Sequence, residues 1–188
     1  MRIIAGEFKG KTIDTIKETR VTQSIVRKAV FDFLGQELDG ISFIDIFAGS
    51  GSMGLEALSR GAGYVAFIEK DLETVKVIKE NIAHLALQPP YKGGPGYEVL
   101  YKDAFAGIKI LSEKERKYDI AFIDPPYSRE MAKKALKTLE SYDILQPNCM
   151  VLIQHEKREI LPEQQGRFLL FRHKKYGATH LTIYKSST

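Results

Sequence analysis

The stretch that most constrains this chain is residues 41–54, Ile-Ser-Phe-Ile-Asp-Ile-Phe-Ala-Gly-Ser-Gly-Ser-Met-Gly. Ile41, Phe43, Ile44, Ile46 and Phe47 form an apolar run that ends in a loop holding Gly49, Gly51 and Gly54. A helix-like stretch runs from Leu55 to Arg60 and stops at Gly61. The order is strand, tight loop, helix. A run that is apolar on both faces predicts a central parallel strand covered by helices on both sides. Glycines let the backbone turn sharply and approach a ligand without Cβ clashes. The helix that follows points its free N–H groups at that ligand.

This loop has more than one reading. Gly49-x-Gly51-x-x-Gly54, with Glu69 about 20 residues further on, matches the dinucleotide fingerprint and reads as NAD binding. A plain strand-to-helix turn with incidental glycines is also open. Asp45 speaks against NAD, because a carboxylate at the end of the strand sits close to the pyrophosphate and repels it. The same carboxylate suits an ammonium or sulfonium group. Asp45-x-Phe47-x-Gly49-x-Gly51 resembles the cofactor loop of the S-adenosylmethionine (SAM) dependent methyltransferases.

Further acids fall at further strand ends. Tyr64–Glu69 reads as a strand, and its end puts Glu69 where a carboxylate accepts from both hydroxyls of a ribose. Residues 71–87 read as a helix with Val75, Ile78, Ile82 and Leu85 inward. Residues 88–97, rich in proline and glycine, form a loop in which Tyr91 and Lys92 are exposed candidates for nucleic acid. Tyr97–Tyr101 is a third strand. Asp103 follows it and reads equally as an acceptor for an adenine amine or as the N-cap of a helix starting at Ala104. Phe105 offers an apolar face.

The most informative residues end the fourth strand, Tyr118–Ile123. They are Asp124-Pro125-Pro126-Tyr127. Two prolines fix the backbone, so the Asp124 carboxylate and the Pro125 carbonyl become two rigid acceptors beside an aromatic ring. That set fits the exocyclic amine of a planar base taken out of its stack. An NAD enzyme leaves this run without a role. Downstream come a helix over 128–142, a strand over Met150–Gln154, and two strands near 167–173 and 178–184. The last two are joined by a basic, aromatic turn, Lys174-Lys175-Tyr176-Gly177. His84 reads as a surface residue and His155 as a lone histidine at a strand end. The sequence shows no cluster with metal-ligand spacing.

Composition enters through charge. Residues 1–30 carry a net +4, residues 31–156 a net −5 and residues 157–188 a net +5. Basic ends around an acidic middle predict an anionic macromolecule held by the ends and a cationic cofactor in the centre. Residues 1–16 alternate around Gly6 and Gly10 as a small hairpin or arm. It presents Arg2, Lys9 and Lys11, with Phe8 either stacking on a base or packing inward. A helix follows, with Val26, Ala29, Val30, Phe33 and Leu34 on its inner face and Gly35 as its stop. With 188 residues, 44% of them hydrophobic, one domain with a full core is expected. Its parts are an arm over 1–18, a leading helix over 19–40 and a catalytic core over 41–188. No apolar run is long enough for a membrane span. The one cysteine, Cys149, reads as a packed small hydrophobe in a reducing cytoplasm.

Nearly the whole chain resembles the RsmD family, which methylates the guanine N2 amine in small-subunit (16S) ribosomal RNA. The resemblance rests on Met1-Arg-Ile-Ile-Ala-Gly-x-Phe-Lys-Gly, on Thr19-Arg20 before a helix with Ala29 and Phe31, on the glycine loop, on Asp124-Pro-Pro-Tyr, and on Lys175-Tyr-Gly-x-Thr-x-Leu-x-x-Tyr184. Departures are Val21 for a proline, Ser24-Ile25 where the family carries Asp-Arg, and Lys28 for a glutamate. The resemblance implies a Rossmann-like class I methyltransferase fold, α/β with a seven-stranded sheet, six strands parallel and one antiparallel. It implies SAM held by Asp45, Phe47, Gly49, Gly51, Glu69, Lys70, Asp103 and Ala104. It implies catalysis by Asp124, Pro125, Pro126 and Tyr127, and RNA contact through Arg2, Lys9, Lys11, Arg20, Lys174 and Lys175. The expected substrate is 16S rRNA, free or in an assembling small subunit, and the expected enzyme is a monomer. Adenine N6 in DNA, protein glutamine, or a binding module without turnover are the alternatives.

Overall fold

The computed structural model describes residues 1–16, 21–85, 96–126 and 130–186, and the side chains of residues 21–23 are not described. Five parallel strands form its centre: β1 (Ser42–Ile46), β2 (Tyr64–Glu69), β3 (Tyr97–Tyr101), β4 (Tyr118–Ile123) and β5 (Leu145–Glu156). Helices α1 (Val21–Leu34), α2 (Ser52–Ser59), α3 (Leu72–His84), α4 (Ala104–Glu113) and α5 (Met131–Ser141) lead into or link them. Three further strands, β6 (Gln164–Gln165), β7 (Phe168–Tyr176) and β8 (Thr179–Ser186), extend the sheet, whose order is β3-β2-β1-β4-β5-β8-β7-β6.

Parallel neighbours need crossovers, and each crossover here is a helix. Alternation along the strands decides which face each helix covers. Phe43 of β1 packs in one apolar cluster with Val26, Val30, Leu55, Leu58, Ile78 and Ile82, from α1, α2 and α3. Ile44 and Ile46 pack in the other with Ile108, Leu111, Leu136 and Leu139, from α4 and α5. The helices therefore lie on both faces, as the two-sided apolar run of β1 predicts.

The sheet has eight strands where seven are expected. β8 runs antiparallel to β5 and β7 antiparallel to β8, so β7 points the same way as β1–β5. Six strands thus share one direction and β8 opposes them, as expected. The addition is the two-residue β6, paired with the start of β7. The ends of β2, β3 and β4 fall where the sequence puts them. β5 begins earlier, at Leu145, and its pairing with β4 skips from Leu145 to Met150. Pro147 lies in the skipped stretch, since proline cannot donate to a ladder. α2 begins at Ser52, before Leu55, and α5 spans Met131–Ser141 inside the expected 128–142. Lys174 and Lys175 lie on β7 and not in the turn, which falls at Gly177 and Ala178.

Residues 1–13 form a closed hairpin. Ile3 N–H donates to the Lys11 carbonyl, Gly10 N–H to the Ile3 carbonyl and Ile13 N–H to the Met1 carbonyl. Ile3, Phe8 and Ile13 are buried, so Phe8 packs inward. The hairpin docks on α2: the amides of Ile4 and Ala5 donate to the Glu56 carboxylate at 2.8 and 3.0 Å. Glu56 is fully buried and pairs with Arg60, 2.9 Å away. Gly6, at φ +82°, lies against α2 so closely that a Cβ would stand 1.7 Å from the Ser59 carbonyl oxygen.

Among the described residues, no helix is long and apolar enough to cross a membrane.

Candidate active site

The strand order reverses between β1 and β4, which are hydrogen-bonded neighbours far apart in sequence. A crevice opens at the carboxyl edge of such a sheet at that point. Asp45 near the end of β1, Glu69 at the end of β2 and Asp124 just after β4 all fall at this edge. The Asp124 amide donates to the Ile46 carbonyl, fixing the chain that leaves β4 against the end of β1.

The loop between β1 and α2 is strained in a specific way. Phe47 has φ +65°, in the left-handed region that a bulky residue rarely adopts. Non-glycine residues held there cluster at ligand sites. Gly49 and Gly51 follow at φ +54° and +78°. Gly51 is the N-cap of α2, and its carbonyl accepts from Leu55 N–H. Gly54 packs the helix onto the sheet, and a Cβ there would stand 2.2 Å from the Phe67 ring. A Cβ on Gly49 would meet nothing within 4 Å, so that side of the loop is open.

The three carboxylates have different surroundings. Asp45 is 1% exposed and accepts from Gly54 N–H at 3.0 Å. Burial pushes its carboxyl up to about 8; the Gly54 hydrogen bond opposes this, and the nearby charges of Asp124 and Glu69 add to it. At neutral pH Asp45 is therefore largely protonated in the free protein, so repulsion of a pyrophosphate is weaker than its residue type suggests. Glu69 is half-buried and accepts three amides: Gly49 at 2.9 Å on one oxygen, Lys70 at 2.8 Å and Asp71 at 2.9 Å on the other. It ties the end of β2 to the glycine loop. Asp124 is half-buried and Pro125 buried, while Pro126 is exposed.

Asp103 caps α4, accepting from Phe105 N–H at 3.0 Å and Ala106 N–H at 3.2 Å. That satisfies the capping reading and leaves the carboxylate exposed at the same edge. Ala104 is buried beneath it. Phe105 meets Phe47 edge-on, with ring centroids 6.4 Å apart, and Lys134 of α5 stands 4.1 Å over its face. Phe47 and Phe105 thus join the β1 and β3 ends into one rim. Lys70 is exposed.

The basic candidates sit elsewhere. Arg2, Lys9 and Lys11 are exposed on the hairpin, Lys174 and Lys175 on β7. α1 lies against both. Arg27 donates to the Arg2 carbonyl at 3.0 Å, and Phe33 packs on Phe171 with Arg172 over its ring. The two basic ends therefore flank one helix. Lys28, the departure from the family pattern, pairs with Asp32 at 2.7 Å on its exposed side. Arg20, Tyr91, Lys92 and Tyr127 lie outside the described residues.

Two features escape sequence reading. Nothing in the residue type marks Phe47 as left-handed. His155, read as lone, is buried beside His173 and His180. The expected hairpin could have hinted at this, since His173 and His180 flank its turn.

The family model described as Conserved hypothetical protein 95 matches residues 1–185. The chain is similar to the ribosomal RNA small subunit methyltransferase D of Buchnera aphidicola subsp. Acyrthosiphon pisum, 30% identical over 99% of this chain and 93% of that protein. It is similar to the protein of the same name from Escherichia coli K12, 29% identical over 98% of this chain and 89% of the other. Among solved structures it resembles a hypothetical protein of Thermus thermophilus, with TM-score 0.78 and 28% identity, covering 97% of this chain and 98% of that one. The chain belongs to this family, the RsmD family of methyltransferases, whose motifs its sequence carries from the first residues to Tyr184.

Proposed function

We propose that the chain transfers a methyl group from SAM to the exocyclic N2 amine of a guanine in 16S ribosomal RNA. The observation that carries this is the seating of Asp124-Pro125 against the end of β1, beside a strained glycine loop at the switch point of the sheet. The residues suit a cationic cofactor. Asp45, Glu69 and Asp124 lie near one another at one edge, and the loop is open at Gly49.

SAM supplies an electrophilic methyl on a positively charged sulfur. The chain supplies position and charge. Asp45 and Glu69 hold the loop through the amides of Gly54 and Gly49, which sets where a ligand lies. The guanine amine is a poor nucleophile because its lone pair is delocalised into the ring. The Asp124 carboxylate and Pro125 carbonyl accept its two hydrogens, localise the lone pair and stabilise the positive charge that grows on nitrogen. On methylation the nitrogen must lose one proton as the thioether leaves, and the Asp124 carboxylate would take it. Tyr127 stacks on the base, and the basic residues of the hairpin and β7 hold the phosphates.

The reading assigns the work to a monomer acting as one methyltransferase domain in the cytoplasm, on rRNA or an assembling small subunit. Methyl transfer from labelled SAM to unmodified small-subunit rRNA, partly assembled subunits and unmethylated DNA tests it. Label recovered as N2-methylguanosine from the RNA or the subunits is the expected result. Label in DNA adenine alone, or none, overturns the assignment.

A further inference from the structure

The chain has four histidines, and three of them meet. His155 at the end of β5, His173 on β7 and His180 on β8 each offer a ring nitrogen within 4.8 Å of the other two. The register brings them together. His155 pairs across from His180, and His173 across from Thr182. His180 and Thr182 are two apart on one strand, so their side chains share a face. The His173 and His180 rings are 4.7 Å apart, and His155 and His180 5.7 Å.

The hydrogen bonding of this group is incomplete. Thr182 Oγ1 lies 2.8 Å from His155 Nε2 and 2.9 Å from His173 Nδ1, so its hydroxyl donates to one ring and accepts from the other. His155 Nδ1 lies 3.0 Å from the Glu156 carbonyl, which fixes its ring. His180 Nε2 is buried and has no hydrogen-bond partner among the described residues. A buried polar atom without a partner carries the full cost of its lost hydration. Plain packing does not explain three imidazoles on one face, because apolar residues fill such a space without that cost.

We propose that His155, His173 and His180 form a binding site for a divalent transition-metal ion of the zinc and cobalt class. Imidazole is a borderline ligand that suits these ions, and a set with no carboxylate disfavours magnesium and calcium. Three histidines leave a fourth position for water or the Thr182 hydroxyl, a tetrahedral arrangement zinc adopts readily. Metal–nitrogen bonds of about 2.0–2.1 Å at tetrahedral angles set the nitrogens roughly 3.4 Å apart. Separations of at most 4.8 Å approach this by side-chain rotation, for which the exposed His173 has room. The ion gives His180 Nε2 its missing partner. It clamps β8 and β7, with Lys174 and Lys175 on β7, to β5. The histidines come from β5, β8 and β7, beyond β4 in the sheet order, and their binding of a metal does not depend on the proposed methyl transfer.

The test uses the full chain without a histidine tag, stripped with chelator. Zinc is titrated against a chromogenic chelator, and cobalt(II) is followed by its visible absorption. Stoichiometric zinc binding, the absorption of four-coordinate cobalt and a higher melting temperature with zinc are expected. His173→Ala, at an exposed position that leaves folding intact, lowers zinc affinity by at least about tenfold, as does His180→Phe, while His84→Ala on α3 leaves it unchanged. Substoichiometric zinc in the parent chain overturns the proposal. So does a loss smaller than about tenfold in either His173→Ala or His180→Phe.

Discussion

At the scale of the residue, the site turns on where each carboxylate finds its hydrogen bonds. Asp45, Glu69, Asp103 and Asp124 were legible because each ends a strand, and strand ends follow from the apolar runs before them. The cap that Asp103 makes is legible too, but the amides of Gly54 and Gly49 that meet Asp45 and Glu69 are not, because they converge only after folding. Asp45 illustrates the gap: sequence makes it a charge, whereas the fold buries it against Gly54 N–H and raises its carboxyl to about 8. The native state then holds a proton that the unfolded chain releases near pH 4, so stability falls as pH rises from about 4 to about 8 and levels off above that. Asp45→Asn keeps the acceptor for Gly54 and removes this titration. Urea unfolding from pH 4 to 9 is therefore expected to show the variant gaining on the parent chain with rising pH, by an amount on the order of a few kcal/mol at pH 8 and above. A gap independent of pH contradicts the burial of a titrating carboxyl. A cationic ligand favours the ionised form, so SAM affinity in calorimetry is expected to rise with pH toward 8 in the parent chain, with proton release, and to lose that release in Asp45→Asn.

At the scale of the element, β2, β3 and β4 were legible to the residue, because each is a short apolar run between clear breaks. β5 was read short. Its first residues surround Pro147 and pair irregularly with β4, a stretch that carries no strand pattern. The hairpin at the start was legible as a hairpin, but its docking was not. That docking depends on Glu56, Ser59 and Asn81, polar residues whose partners lie about fifty to seventy positions away in sequence. Gly6 is the tightest point of the joint. Gly6→Ala places a Cβ 1.7 Å from a backbone oxygen as well as at positive φ, and is expected to cost about 2–4 kcal/mol in urea unfolding. Gly10→Ala, at φ +83° with open space around it, carries only the backbone term, about 1–2 kcal/mol. Equal costs at the two positions contradict the close docking of the hairpin on α2.

At the scale of the whole molecule, the charge pattern read from sequence acquires a geometry, with both basic ends lying against α1 and four carboxylates, those of Asp45, Glu69, Asp103 and Asp124, at the carboxyl edge of the sheet. Lys174→Glu with Lys175→Glu is expected to weaken RNA binding at low salt by roughly ten- to a hundredfold and to flatten its salt dependence by about two contacts. SAM affinity stays unchanged, because both residues lie on β7. A loss of SAM binding in parallel contradicts the separation of cofactor and RNA surfaces. The sheet's class and direction are legible from alternating strands and helices, while the two-residue β6 and the meeting of three histidines are not, since β6 rests on two residue pairs with β7 and the histidines meet only once β8 pairs with both β5 and β7. The central claim is that Asp124 acts on the reacting amine and not on the cofactor. Single-turnover methyl transfer by Asp124→Ala, with SAM affinity measured by calorimetry on the same preparation, tests it most directly. The account predicts a rate lower by at least about a hundredfold with SAM affinity within about threefold of the parent chain. A rate within about tenfold of the parent, or a loss of SAM binding that explains the slowing, contradicts it.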